Sequence, residues 1–206
     1  MHLETTKKTC GTNTCEYIIL HDTASDASAE SNAKYLASNP APASCHYVVG
    51  EDGRVWKIGE DTDILWHAGI SSWNGKKDMN RYSIGIEIHA NKAGDSFTSP
   101  QRAATKKLVQ SLMQDHKIPP ERVIRHKDIA PKRKTDVRDA FWRNEFKTFK
   151  DYQKSLTETT MNLHNETIML LKDLWSKQNA EDKKKIGDLA NKHRAAEKAL
   201  GLHVTK

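Results

Sequence analysis

Apolar and polar positions follow two rhythms along this chain. "YIILH", residues 17–21, is a short apolar and β-branched run that reads as a strand ending on His21. "SCHYVV", "EDG" and "RVWKI" read as strand, turn and strand, with Asp52 and Gly53 supplying the turn. "YSIGIEIHA", residues 82–90, alternates only in part but is apolar enough for a central strand, although it carries Glu87 and His89. "VIRH" adds a last strand that runs into an irregular loop ended by Pro131. Helical spacing replaces this rhythm over residues 98–118, where Ala104, Leu108, Leu112 and Met113 recur on one face behind a capping serine and Pro100. A second helix grows out of the loop "DTASDASAESNAKYLASNP" and is closed by Pro40. Strands alternating with helices predict an α/β fold, a mixed central β-sheet covered by helices. The order of its strands is not legible in the chain.

The rhythm changes near Phe149. Residues 151–206 contain no proline and many helix formers, which predicts a C-terminal helical hairpin over roughly 152–178 and 181–200. Leu156, Leu163, Leu170 and Leu174 share one stripe, and Ile186, Leu189, Ala196 and Leu200 a second. The expected organisation is therefore a first domain over 1–150 and an extension over 151–206. From Ala180 to Lys206 there are seven Lys/Arg against four Asp/Glu. The plain expectation for this hairpin is a scaffold that packs on the first domain or on a second copy. The alternative is a basic amphipathic element that meets an anionic membrane or wall surface.

Charge narrows the partners. A net charge of +6 over 206 residues favours anionic surfaces. The basic residues are dispersed and form no recognisable nucleic-acid-binding module, so nucleic acid is not expected as a partner. Three cysteines, Cys10, Cys15 and Cys45, make an incomplete disulfide set and fit a reducing compartment. The amino-terminal residues lack the apolar core of a signal peptide, so cytoplasmic synthesis is the expectation.

Chemistry is concentrated at strand ends. Half of the ten histidines, His2, His116, His164, His193 and His203, lie at a terminus or in polar helical surroundings. His21 and His126 instead close apolar strands, where an imidazole can reach a metal or a substrate. Asp136, ten residues beyond His126, could complete a three-ligand site if the intervening loop turns back. Spacing alone leaves Asp22, Asp128, Glu87, His46, His67 and His89 as competitors. Glu87 is itself unusual, since a carboxylate inside an apolar strand needs a partner or a task. The loop "RHKDIAPKRKTD", read by itself, is solvated surface.

Taken together, "IILHDTAS", "CHYVVGEDGRVWKI", "WHAGISSW", "NRYSIGIEIHA", "TSPQ" and "IRHKDIAPKRKTD" change that picture. In this order and spacing, residues 16–142 resemble the zinc-dependent N-acetylmuramoyl-L-alanine amidases of the type 2 family. That family includes phage endolysins, cytosolic recycling amidases and peptidoglycan recognition proteins. The resemblance implies Zn2+ held by His21, His126 and Asp136, with Glu87 and Lys134 as catalytic residues. It places His67 in the substrate groove, flanked by Trp66 and Trp73, either of which could stack on substrate. The chain departs from the family after Asp136, where Val137, Arg138 and Asp139 replace the usual proline and glycine, and its last 55 or so residues match no part of the family.

The implied substrate is peptidoglycan, cut at the amide joining N-acetylmuramic acid to L-alanine. Zinc would activate water and polarise the carbonyl, Glu87 would move the proton, and Lys134 would stabilise the developing oxyanion. A non-catalytic peptidoglycan-binding protein is the competing class, because some recognition proteins keep the fold and lose a ligand. Every matched ligand is present here, which favours an enzyme. Among enzymes the expectation is a phage endolysin that waits in the cytoplasm and acts on the wall after release, with a muropeptide-recycling amidase as the alternative.

Overall fold

Residue alternation assigns the two faces of the central strands. In β6, Ser83–Ile88, the three isoleucines Ile84, Ile86 and Ile88 point to one face, and Ser83, Gly85 and Glu87 to the other. In β1, Tyr17–Asp22, Ile18 and Leu20 join the isoleucines, while Tyr17 and Ile19 belong to a cluster on the opposite face. The partial alternation expected of β6 is thus regular once glycine is counted as a site-face residue.

A computed structural model describes residues 3, 11–39, 41–157, 188, 191 and 192. Five strands form the main sheet in the order β3-β2-β6-β1-β7. β2 (Tyr47–Val49), β6, β1 and β7 (Val123–Arg125) are parallel neighbours, and β3 (Val55–Lys57) pairs antiparallel at one edge. A two-stranded ribbon, β4 (Ser72–Trp73) and β5 (Lys76–Lys77), stands apart. This is the mixed sheet covered by helices that the sequence predicts.

The isoleucine face is closed by α2, Ser99–His116, whose Val109 and Leu112 enter the main core with Phe97, Phe141 and Trp142. Each isoleucine of β6 is fully enclosed, and burying one such side chain contributes about 1.5–3 kcal/mol. The cap of α2 is Thr98, one residue before the serine expected, in a reciprocal capping box with Gln101. Gln101 is the better explanation for that shift. Its amide continues inward to donate to the carbonyls of Val49 and His89, so the helix start is fixed by the sheet. On the other face α1, Ala29–Ser38, lays Ala29, Ala33 and Ala37 against Val48 and Trp56. β7 ends at Arg125, and His126 opens the short helix α3, His126–Ile129, instead of closing the strand.

The chain divides into two compact units, Met1–Thr157 and Glu158–Lys206. The helical residues 149–157 belong to the first, because Phe149, Tyr152 and Leu156 are buried in its main core. The expected hairpin over 152–178 and 181–200 lies outside the described residues beyond Thr157, apart from Asp188, Asn191 and Lys192, which are helical. Cys15 and Cys45 are free thiols buried in the first unit, and Cys10 lies outside the described residues. Among the described residues no helix is long and apolar enough to cross a membrane.

Candidate metal centre

The parallel register pairs His21 of β1 with Glu87 of β6 on the face not covered by α2. His126 reaches the same place from the start of α3, and Asp136 from the loop that follows it. His21 Nδ1 lies 2.9 Å from His126 Nδ1 and 3.2 Å from Asp136 Oδ2, and His126 Nδ1 lies 2.9 Å from the same oxygen. His21 and His126 are buried at 1% and 2% exposure. Among the described residues this is the one group of three or more such side chains with ligand atoms converging in this way.

Hydrogen bonds decide which nitrogens carry protons. His126 Nε2 donates to the Ala68 carbonyl at 3.0 Å. His67 Nε2 donates to the Ser83 carbonyl at 3.2 Å, which leaves His67 Nδ1 as acceptor for His21 Nε2 at 3.1 Å. Burial keeps the His21 and His67 rings neutral. It pushes His21 down to about 4, helped by His126, and takes His67 well below the usual imidazole range. Both Nδ1 atoms therefore present lone pairs, and they meet a carboxylate oxygen. Three lone pairs at this spacing repel one another unless a cation lies between them. Zinc bonds of 2.0–2.1 Å to nitrogen and oxygen imply tetrahedral edges of about 3.3 Å, close to the spacings observed. The donor set fits zinc.

The loop carrying Asp136 is tied down at several points. Its carbonyl accepts from the Lys127 amide at 2.7 Å. Two residues on, Arg138 donates from its backbone and Nε to Asp22 Oδ2 at 2.9 and 3.1 Å, closes a further ion pair through Nη2 and Asp22 Oδ1, and donates from Nη1 to the Lys92 carbonyl. Gly94 makes room for that guanidinium, since a Cβ there would fall 1.7 Å from Arg138 Cζ. The departure from the family's proline and glycine is thus filled by an anchor. It joins the end of β1 directly to the ligand loop.

Glu87 Oε2 is buried without a hydrogen-bond partner. Burial, then the charges of Asp136 and Asp22, push its carboxyl up to about 8, and only Lys134 opposes them. Lys134 also acts on His21, so one ammonium influences both sides of the site. Trp66 is 40% exposed and Ile70 is 91% exposed. Trp73 is half-buried against the cluster of Tyr17, Ile19 and Met79, which places it in packing. His67 is also part of the cluster around His21. It is buried with both ring nitrogens bonded inside the protein.

The pattern of the N-acetylmuramoyl-L-alanine amidase family, type 2, matches residues 11–139, and the chain belongs to that family. The amidase AmiD of Escherichia coli is 33% identical over 134 residues, 58% of this chain and 47% of that protein. The 1,6-anhydro-N-acetylmuramyl-L-alanine amidase AmpD of Haemophilus influenzae is 34% identical over 94 residues, 45% of this chain and 50% of its own. The chain thus spans about half the length of these relatives. A solved complex of AmiD from E. coli with anhydro-N-acetylmuramic acid-L-Ala-D-gamma-Glu-L-Lys matches with a TM-score of 0.57 at 30% identity, over 66% of this chain and 58% of that one.

Proposed function

We propose that the protein is a zinc-dependent N-acetylmuramoyl-L-alanine amidase that hydrolyses the bond between the lactyl carbonyl of N-acetylmuramic acid and L-alanine in peptidoglycan. The observation that carries this is the convergence of three lone pairs from His21, His126 and Asp136 beside Glu87, a half-buried side chain with one enclosed and unpartnered oxygen. Membership of the amidase family, and a relative captured with a muramoyl-peptide substrate, supply the substrate class.

Zinc held by these residues supplies polarisation of the scissile carbonyl and a lowered pKa for the attacking water. Glu87, whose carboxylate form the charge of a bound zinc favours, takes a proton from that water through its free oxygen as the oxygen–carbon bond forms, and returns it to the alanine nitrogen as the carbon–nitrogen bond breaks. The Lys134 ammonium offsets the negative charge that grows on the carbonyl oxygen. Trp66, 40% exposed and next in the chain to His67, would offer an apolar face to the saccharide or peptide.

The finer proposal is an endolysin acting on polymeric wall, its basic extension drawing it to an anionic surface. Recycling of soluble muropeptides is the alternative. Purified sacculi and soluble anhydro-muropeptides, each incubated with the zinc-loaded protein, separate the two by the preferred substrate. Release of new L-alanine amino termini that stops on chelation and returns with zinc is the expected result. A stoichiometrically zinc-loaded protein that releases none from either substrate overturns the proposal.

A further inference from the structure

The two histidines of the metal centre are oriented by one dipeptide. His67 supplies the acceptor for His21 Nε2, and the carbonyl of the next residue, Ala68, supplies the acceptor for His126 Nε2. We infer that His67–Ala68, clamped by Asn80, sets the tautomer and ring direction of both histidines, which makes His67 a positioning residue for the metal. The inference rests on the zinc reading above and goes beyond it.

Three independent contacts hold the dipeptide. Asn80, 1% exposed, accepts through Oδ1 from the amides of His67 and Ala68 at 3.0 and 2.7 Å, and its Nδ2 donates to Asp78, which fixes the amide's direction. Arg133 Nη2 donates to the second lone pair of the Ala68 carbonyl at 2.9 Å and to Ile70. The His67 ring lies flat on Gly85 of β6, where a Cβ would stand 2.4 Å from its Cγ. A glycine in the middle of a central strand weakens that strand, and the close approach of this ring accounts for it.

The chemistry of the acceptor also matters. A ring nitrogen that donates to a ligand's far side fixes which nitrogen faces the metal, and losing such a partner typically costs 10–100-fold in affinity. His67 does this as a neutral group. It therefore adds no negative charge beside Asp136 and Glu87, where a carboxylate in the same place would.

The test compares His67→Asn with His67→Gln in the full chain. Asparagine places an amide oxygen where Nδ1 now accepts. Glutamine places its amide at the Nε2 end and leaves His21 without an acceptor. The Ser83 carbonyl keeps a donor in both, because Asn13 Nδ2 bonds to it at 2.8 Å. Zinc affinity, measured by competition with a chromophoric chelator, is expected to stay within about threefold of wild type for asparagine and to fall about 10–100-fold for glutamine. Equal affinities in the two variants, with wild type binding one zinc, overturn the inference and leave the metal reading intact. A wild-type protein that takes up no zinc overturns both. Should the glutamine variant unfold before metal is added, Gly85→Ala provides the second measurement, since it lifts the ring without removing a nitrogen. The absorption bands of its cobalt-substituted form are expected to shift from those of wild type, and an unchanged spectrum overturns the inference.

Discussion

β6 carries two proteins' worth of logic on its two faces. Ile84, Ile86 and Ile88 are interchangeable in kind, each buried for its volume and hydrocarbon. Ser83, Gly85 and Glu87 are not. The Ser83 hydroxyl donates to the Met79 carbonyl at 2.6 Å, Gly85 makes room for the His67 ring, and Glu87 holds a buried carboxyl oxygen that no neighbour satisfies. One face tolerates changes that keep its bulk, whereas on the other each side chain has its own requirement. Substitutions on one face should therefore move melting temperature, and substitutions on the other should move metal binding or turnover.

His21→Ala is the most severe test. It removes a lone pair from the metal centre while leaving the isoleucine face intact, so activity should vanish and zinc stoichiometry should fall far below one. Stoichiometric zinc in this variant, by metal analysis, would place the metal elsewhere. Glu87→Gln comes next. It should retain fold and zinc yet lose about two to four orders of magnitude in turnover, and a wild-type rate at matched zinc occupancy would remove the carboxylate from the reaction.

The other face should behave in the opposite way. Ile86→Ala is expected to cost about 2–5 kcal/mol of stability through lost burial and an unfilled cavity, with zinc affinity unchanged below the new melting transition. A drop in affinity without a drop in stability would show that the faces are coupled.

The smallest effect is a dependence on pH carried by His46, which stands at the boundary of the two regions. It accepts from the Gly85 amide and donates to the Asp63 carbonyl, and burial holds it down to about 4. A folded-state value below the unfolded one means that the unfolded chain binds more protons between pH 6.5 and about 4. The contribution of His46 is complete above pH 6.5 and is lost as pH falls through that window, on the order of 3 kcal/mol in all. Unfolding of the metal-free protein at pH 7, 5.5 and 4 measures the slope, and His46→Gln should reduce it by the His46 share while the buried His21 and His67 keep theirs.

Apolar regularity made the isoleucine face legible from sequence. The α2 stripe, the strand character of β1 and β6 and the placing of helices over a sheet all rest on repeated side chains. Boundaries were less so. Ser99 has the chemistry of a cap, but Gln101 reaching Val49 and His89 selects Thr98. His126 looked like the end of a strand because the turn into α3 is made by Arg125 and Asp128, a local pairing that periodicity does not register. At the site, strand ends pointed to His21 and His126, and only the family resemblance singled out Asp136 among its competitors. The contacts behind these ligands were not legible. Asn80 lies thirteen positions from His67 and Arg138 lies 116 from Asp22, and nothing in either segment announces its partner. The one visible sign was glycine in unexpected places, Gly85 inside a strand and Gly94 beside a loop.

The parallel pairing of His21 with Glu87 has a consequence for change over time. Neighbouring strands in a sheet lie about 4.8 Å apart whatever their sequence, so the offset between a ligand and the carboxylate beside it is ruled by the backbone lattice. Loops at the rim can lengthen, shorten or be exchanged, and this measure stays constant. The sheet acts as a ruler, which leaves exposed residues such as Trp66 and Ile70 free to be rewritten without recalibrating the spacing of the site.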